Sequence, residues 1–429
     1  MTISELLKAG IEKAKQGQIQ AALDLFSQVL RLDDTCAKAY YNRGCAYRDT
    51  QRYREALEDF SAAIRLDPDL ANAYINRGNV YRLLGEFALG RADLDQAVAL
   101  QPADPKTHSN RGRLRLDEED YGGAIEDFSQ ALASHPRFLK VLLWRGLAYL
   151  HQGPRTAQTE QRQQVYQQAI DDFSALLAQQ PDHPEALNYR AVAHFQRRNY
   201  YQATLDVNQA LHQQPDYAEA YINRGMLRHE LGDHEGAIDD YTAVLTLNPA
   251  LQDLSYNQTL VGLALDSPDA PYGDDAPLNL RFRLADLYDS RGRLRARMGD
   301  IEGANADYTL ALRFNPRCGR ILANRGRILS RQSQYHEAIA DFNQALTLGA
   351  EDALNYCDRG YAHYFLEDWE LALADFDQAL ALDPHIAEAY IGRGHAQMHL
   401  GQGAAAMEDF RKALNLSWDN RQIQRSRVL

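Results

Sequence analysis

Residues 37–70 read AKAYYNRGCAYRDTQRYREALEDFSAAIRLDPDL. Apolar and small residues recur at helical spacing in two successive segments, and Pro68 ends the second segment. Gly44 lies inside the first segment, although a glycine in a helix costs roughly 1 kcal/mol against alanine. We therefore predict that Gly44 allows two antiparallel helices to approach closely, with Ala56 opposite it and Phe60 beside them.

The pattern recurs about every 34 residues and predicts an array of eleven helix pairs. Each pair in such an array packs only on its neighbours, so the core is a continuous seam. The glycine returns as Gly10, Gly44, Gly78, Gly112, Gly146, Gly225, Gly292, Gly326, Gly360 and Gly394, with Ala191 in pair 6. We number the pairs 1 to 11 along the chain.

The chain resembles the tetratricopeptide repeat (TPR) family over nearly its whole length. The shared features are the period and four repeated positions, called slots: a glycine in the first helix, an alanine and an aromatic residue in the second helix, and a proline that ends it. This resemblance implies an all-α solenoid, a superhelix of antiparallel helix pairs. It also implies that the first helix of each pair lines a concave groove in which a peptide or a partner protein binds.

The repeat is interrupted twice. An 11-residue insertion in pair 5, at about 154–165, is rich in Gln, Glu and Arg, and predicts a solvated N-terminal extension of the second helix. Three prolines and four aspartates in residues 266–277 predict a loop. The expected organisation is pairs 1–7 in 1–251, a helix with an acidic Pro-rich linker in 252–284, pairs 8–11 in 285–416, and a tail or short cap in 417–429.

The composition narrows the class of function. A formal net charge of −13 argues against nucleic acid as a main partner, because phosphate binding favours a basic face. The four cysteines have no disulfide or metal-ligand spacing. We expect the N-terminal stretch to form the first repeat helix and not a signal peptide, and no apolar run approaches the length of a membrane span. The sequence contains no HExxH motif, P-loop or nucleophile elbow. We expect a cytoplasmic protein that is not an enzyme, and that needs no cofactor, metal or membrane.

An arginine precedes the repeated glycine slot in ten pairs, and an aspartate precedes the large residue of the second helix in the same ten. Pair 1 has neither, since Ala9 and Leu25 occupy these positions. This covariation predicts an interhelical ion pair, with nitrogen and oxygen within about 4 Å. The alternative is a ladder of arginines that binds a ligand.

The candidate peptide-binding residues lie at first-helix positions that the seam does not use. Asparagines repeat once per pair, and an amide can donate to and accept from a peptide backbone. A basic and amide-rich zone around Asn110, Lys106 and Arg113, called the basic zone, is followed along the chain by an apolar zone around Trp144, Tyr189 and Phe195. The candidates are Asn42, Asn76, Asn79, Asn110, Lys106, Arg113, Lys140, Trp144, Tyr189 and Phe195. The alternative is that the tripeptide Asn-Arg-Gly is simply a common feature of this repeat lineage and has no role in binding, because Asn223 and Asn324 lie outside the run.

The asparagine row resembles the ladder in the repeat superhelix of O-GlcNAc transferases. Asn79, Asn110 and Lys140 match part of the dicarboxylate clamp of chaperone-binding repeat domains. Ile75 stands where that clamp has lysine, and Trp144 stands where it has arginine. The partial match argues against the C-terminal tail of a chaperone as the ligand.

These features together predict a non-catalytic scaffold for protein–protein interaction, binding a protein or an extended peptide that carries acidic residues. Two alternatives remain at this point. The chain could be an assembly factor or regulatory subunit that holds a folded partner, or a self-associating structural array. The sequence sets neither the partner nor the oligomeric state.

Overall fold

The chain is described here by a computed structural model covering residues 2–247 and 284–426, with side chains for 2–247 and 285–416. This part of the chain contains 22 α-helices, one 3-10 helix and no β-strand. The helices form eleven antiparallel pairs, which confirms the predicted all-α repeat fold.

The first helices of pairs 1 to 11 are α1 (Ile3–Lys15), α3 (Ala37–Asp49), α5 (Ala71–Leu83), α7 (Pro105–Asp117), α9 (Leu139–Gln152), α11 (Pro184–Gln196), α13 (Ala218–Glu230), α15 (Leu284–Met298), α17 (Gly319–Arg331), α19 (Ala353–Phe365) and α21 (Ala387–His399). The second helices are α2 (Ile19–Leu32), α4 (Tyr53–Leu66), α6 (Phe87–Leu100), α8 (Tyr121–Ser134), α10 (Thr159–Leu177), α12 (Tyr200–Gln213), α14 (His234–Leu247), α16 (Ile301–Phe314), α18 (Tyr335–Thr347), α20 (Trp369–Leu382) and α22 (Gly403–Ser426).

The turn within a pair depends on one left-handed residue. In ten pairs the residue seven positions after the glycine slot has a positive φ, and pair 5, which carries the insertion, is the exception. Half of these residues are glycine, for which this conformation is unstrained, as at Gly85 (φ 77°). The others include Gln51 (φ 60°), so the turn geometry is kept even where the residue type does not favour it.

The repeated glycine makes room for an aromatic ring. A Cβ added at Gly44 would lie 2.8 Å from Cε1 of Phe60 and 3.3 Å from Cβ of Asp59. The Phe60 ring therefore fills the space over the glycine, as expected. In pair 3 the residue at the Ala56 position, Gly90, lies opposite the repeated glycine, because a Cβ added at Gly78 would lie 3.1 Å from the carbonyl oxygen of Gly90. The expectation of close helix approach is therefore correct.

The insertion in pair 5 lengthens the second helix, as predicted. Helix α10 has 19 residues, against 14 in most second helices, and the 3-10 helix Gly153–Arg155 precedes it. The insertion is also anchored at both sides. Tyr166 is buried against Gly153, and Arg155 donates to Glu119 Oε2 at 2.5 Å in the preceding pair.

All ten predicted Arg–Asp ion pairs are present, each within its own helix pair, with shortest distances of 2.5 to 2.7 Å. Arg77 is typical, because its Nε and Nη2 donate to the two carboxylate oxygens of Asp93 at 2.8 and 2.7 Å. The prediction is confirmed, and these arginines do not form a ligand ladder. The pairs are Arg43–Asp59, Arg77–Asp93, Arg111–Asp127, Arg145–Asp172, Arg190–Asp206, Arg224–Asp240, Arg291–Asp307, Arg325–Asp341, Arg359–Asp375 and Arg393–Asp409.

Most of these arginines also contact the preceding helix pair, which the sequence did not predict. Nη1 of Arg77 donates to Ser61 Oγ at 3.0 Å, and Nη1 of Arg111 donates to Asp95 Oδ1 at 2.9 Å. Each guanidinium thus joins three helices. The same contact links Arg43 to Ser27, Arg145 to Ser129, Arg190 to Ser174, Arg291 to Thr242, Arg359 to Asn343 and Arg393 to Asp377.

By contacts the described chain divides into two compact units, residues 2–215 and residues 216–247 with 284–426. Residues 252–283 of the predicted linker, including the predicted loop at 266–277, lie outside the described residues. The predicted two-block organisation therefore stays a prediction. The backbone of α22 continues without a break to Ser426, through most of the predicted tail.

Candidate peptide-binding surface

The ten candidate residues belong to five successive first helices of the first unit. Helices α3, α5, α7, α9 and α11 each contact the next one in this series. Their shared face is called here the first-helix surface. Lys106 and Lys140 are exposed, and the other eight candidates are half-buried.

The asparagines form hydrogen bonds within their own helices. Nδ2 of Asn42 donates to the carbonyl oxygen of Lys38 at 2.7 Å, and Nδ2 of Asn110 donates to that of Lys106 at 2.7 Å. This bond to the residue one turn earlier holds each side chain against its helix. Within the described residues Asn42 retains an unpartnered Oδ1, which is an acceptor for a ligand N–H.

Asn76 belongs to a network that the sequence analysis missed. Its Nδ2 donates to Asn72 O at 2.9 Å and to Tyr41 Oη at 3.1 Å, while its Oδ1 accepts from Arg48. Burial raises the pKa of Tyr41 to about 12, so its hydroxyl stays neutral at physiological pH. Asn76 therefore links pair 2 to pair 3 and has less capacity left for a ligand.

Asn79 and Asn110 contact each other across adjacent pairs. Nδ2 of Asn79 donates to Oδ1 of Asn110 at 2.7 Å. The two residues predicted as part of a clamp are therefore brought together, as a hydrogen-bonded pair. Helical spacing placed both on one face, but their direct contact depends on the stacking distance between α5 and α7.

In the basic zone, the basic side chains outnumber the acidic side chains that contact them. Arg82 and Arg113 share one carboxylate, Asp117, with Arg113 Nε at 3.7 Å from Asp117 Oδ1. Lys106 and Lys140 form no ion pair with any described residue. The zone therefore has a local excess of positive charge on a chain whose net charge is −13.

The apolar zone is built from aromatic side chains that rest on the core. The ring of Trp144 lies 6.1 Å from that of Phe128, and the guanidinium carbon of Arg113 lies 5.4 Å from the Trp144 ring centre. Tyr189 lies 6.0 Å from Phe173 in the same manner. Trp144 therefore adjoins both zones, with Arg113 beside it.

Phe195 lies further along this surface, at the end of α11. Its ring is 5.6 Å from that of Tyr200 at the start of α12. The aromatic residues thus continue from α9 to α11, in the order that the sequence indicated.

The corresponding arginines of the second unit are neutralised by acids of the chain. Arg320 binds Asp289, which also accepts from Asn324 at 3.0 Å. Arg327 donates to Asp358 at 2.5 Å. Basic residues of the first helices can therefore be bound by acids of the chain, and they are not in themselves a ligand site.

Among the described residues, no group of three or more His, Cys, Asp or Glu side chains is arranged to hold a metal ion. No described helix is both long enough and apolar enough to cross a lipid bilayer.

The chain belongs to the tetratricopeptide repeat family. One tetratricopeptide repeat model matches residues 109–153, 155–205, 290–353 and 357–421, which is more than half of the chain. Further models of the same repeat match residues 44–85, 71–104 and 218–251. Proteins of this family are generally non-catalytic, and membership supports a protein-interaction scaffold as the class of function.

Several solved TPR structures are similar to the chain, all at low sequence identity. A tetratricopeptide repeat protein from Parabacteroides merdae ATCC 43184 is 18% identical with a TM-score of 0.46, covering 61% of this chain and 97% of its own. YrrB, a TPR protein with an unusual peptide-binding site, is 19% identical with a TM-score of 0.39, covering 48% and 97%. Yeast Tom70 is 15% identical with a TM-score of 0.37, covering 96% and 92%. No curated protein matches the chain.

Proposed function

We propose that the first-helix surface of α3 to α11 binds an extended segment of a partner protein that is acidic at one end and apolar at the other. The observation that carries this proposal is the order of two zones on contiguous helices. Unmatched cations occupy α7 and the start of α9, and the aromatic side chains follow on α9 and α11.

The charges favour an anionic segment. Lys106 and Lys140 are exposed without a described acidic partner, and Asp117 serves two arginines. A carboxylate placed among these groups gains charge-assisted hydrogen bonds, and complementary charge speeds the encounter of the partners.

The apolar end of the segment would contact Trp144, whose ring is half-buried. Aromatic residues that rest on a rigid core lose little conformational freedom on binding, and they are frequent hot spots of interfaces. The unpartnered Oδ1 of Asn42 would accept an N–H from the peptide backbone.

The experiment is a fluorescence-anisotropy titration with a labelled synthetic peptide in which a run of glutamates precedes leucine and phenylalanine. The variant Lys106→Glu with Lys140→Glu should weaken binding by on the order of tenfold or more, because each change replaces attraction with repulsion. The matched control is Arg54→Glu with Arg65→Glu, which alters the same charge at exposed positions of α4.

Equal affinity of the two charge-reversed variants would contradict the proposed acidic end. A peptide whose glutamates are replaced by lysines should bind far more weakly to the wild-type protein. If neither peptide binds while a folded partner does, the alternative of a subunit that holds a folded protein would replace this proposal.

A further inference from the structure

The last helix pair leaves an apolar face open. On α22 the exposed fractions of Leu414 and Met407 are 66% and 61%. On α21 those of Met398 and Ile391 are 53% and 37%. These four residues are called the end face.

The same repeat positions are buried in other pairs. The position of Leu414 is at most 9% exposed where it is occupied by Ile64, Leu132, Leu177, Leu312, Leu346 and Leu380. The position of Ile391 is at most 7% exposed where it is occupied by Ile75, Ser109, Ala323 and Cys357. At Leu414 and Ile391 the end face therefore exposes positions that are buried between helix pairs elsewhere in the chain.

The internal interfaces show which chemistry fits this face. Ile64 packs in one cluster with Ala73 and Tyr74 of the following pair, and Leu380 packs with Ala389 of the following pair. In both cases the apolar end of one pair is covered by helices of this same chain. Within the described residues nothing covers the end face, since its four side chains keep exposed fractions of 37% to 66%.

The opposite end of the array does not offer a matching surface. Glu5 occupies the position at which the following pairs have the fully buried Ala39 and Ala73, and it is exposed. Lys8 and Glu12 follow on the same side of α1. Joining the end of one copy to the start of another would bury these charges, which is costly without partners.

We propose that two copies of this chain associate through their end faces, related by a two-fold axis. Such an isologous contact places the same residues of both copies against each other and closes after two subunits. Glu408, Arg411 and Lys412 lie beside Met407 and Leu414 on α22 and carry both signs of charge, so no single-sign repulsion opposes the contact.

The test is the mass of the full chain in solution, measured by light scattering during size exclusion over a series of concentrations. The wild type should approach twice the chain mass of 48.5 kDa as concentration rises. The variant Met407→Glu with Leu414→Glu should stay at the single-chain mass, because four carboxylates would meet at the axis. Far-ultraviolet circular dichroism checks that the variant is folded.

Two controls separate this contact from others. Leu32→Glu changes a leucine of similar exposure, 60%, at the other end of the array and should leave the dimer intact. Glu5→Gln removes the charge from the starting face and should also leave the mass unchanged. A wild type that stays at the single-chain mass, a mass that rises beyond the dimer, or a double Glu variant that still dimerises would overturn the proposal.

Discussion

Most of the repeated arginines hold three helices together through separate nitrogen atoms of one guanidinium. Arg77 uses Nε and Nη2 for the nearly buried carboxylate of Asp93 and Nη1 for Ser61 of the preceding pair. The Arg–Asp contact could be predicted because both residue types are kept or lost together. The third contact could not, because serine, threonine, asparagine and aspartate all supply the oxygen, so no single residue type repeats.

The contacts of Arg77 give a prediction about the stability of the fold. Asp93→Ala should lower the free energy of unfolding by about 2–4 kcal/mol, because it leaves the half-buried guanidinium of Arg77 without its main partner. Ser61→Ala removes a single hydrogen bond of the same guanidinium and should cost only about 0.5–1.5 kcal/mol. Urea unfolding followed by circular dichroism compares the two variants. Equal losses would show that the carboxylate does not carry the interhelical contact.

The candidate binding residues show a similar limit at the residue scale. Helical spacing was enough to place Asn42, Asn76 and Asn110 on successive first helices. It did not reveal that Asn76 is engaged by Tyr41 and Arg48, because that contact depends on the distance between α3 and α5. The sequence identifies which residues share a face, and the stacking of the helices decides which of them bind one another instead of a ligand.

At the scale of elements, the pair-5 insertion shows what periodicity can and cannot predict. The helix-forming composition correctly predicted a longer second helix. Tyr166 occupies a repeat position that is also aromatic at Tyr53 and Tyr121, but its contact with Gly153 was not predicted, because the insertion separates the two residues in the sequence. In the structure its ring packs against Gly153 and fixes the added turn to the rest of pair 5.

This anchoring can be tested on α10. Tyr166→Ala should reduce the free energy of unfolding by about 3–5 kcal/mol, because it opens a cavity at a side chain that is 2% exposed. Gln164→Ala, two residues earlier and exposed, should change it by less than about 0.5 kcal/mol. Thermal melts monitored by circular dichroism provide the comparison. An unchanged free energy of unfolding in Tyr166→Ala would mean that this contact does not hold the insertion to the rest of the pair.

For the whole molecule, the number of helix pairs and the positions of most helices follow from the repeat alone. Eleven copies of one pattern average out the weak preference of any single segment. The division into units does not follow in the same way. The break that the sequence predicts at 252–284 lies almost entirely outside the described residues and stays a prediction. Contacts among the described residues divide the chain after Pro215, which no change in the repeat pattern marks. The position of such a boundary depends on the packing distance between neighbouring helix pairs. The residue types at the repeated positions do not determine that distance.

The most direct measurement of the proposed function uses Trp144 as its own reporter. The chain has three tryptophans, and replacing Trp369 and Trp418 with phenylalanine leaves Trp144 alone on the first-helix surface. Titration with the acidic-to-apolar peptide should change Trp144 emission to saturation, with the same dissociation constant that anisotropy gives, because the apolar end of the peptide desolvates the indole. An anisotropy increase without any change in Trp144 emission, or no binding at all, would contradict the account.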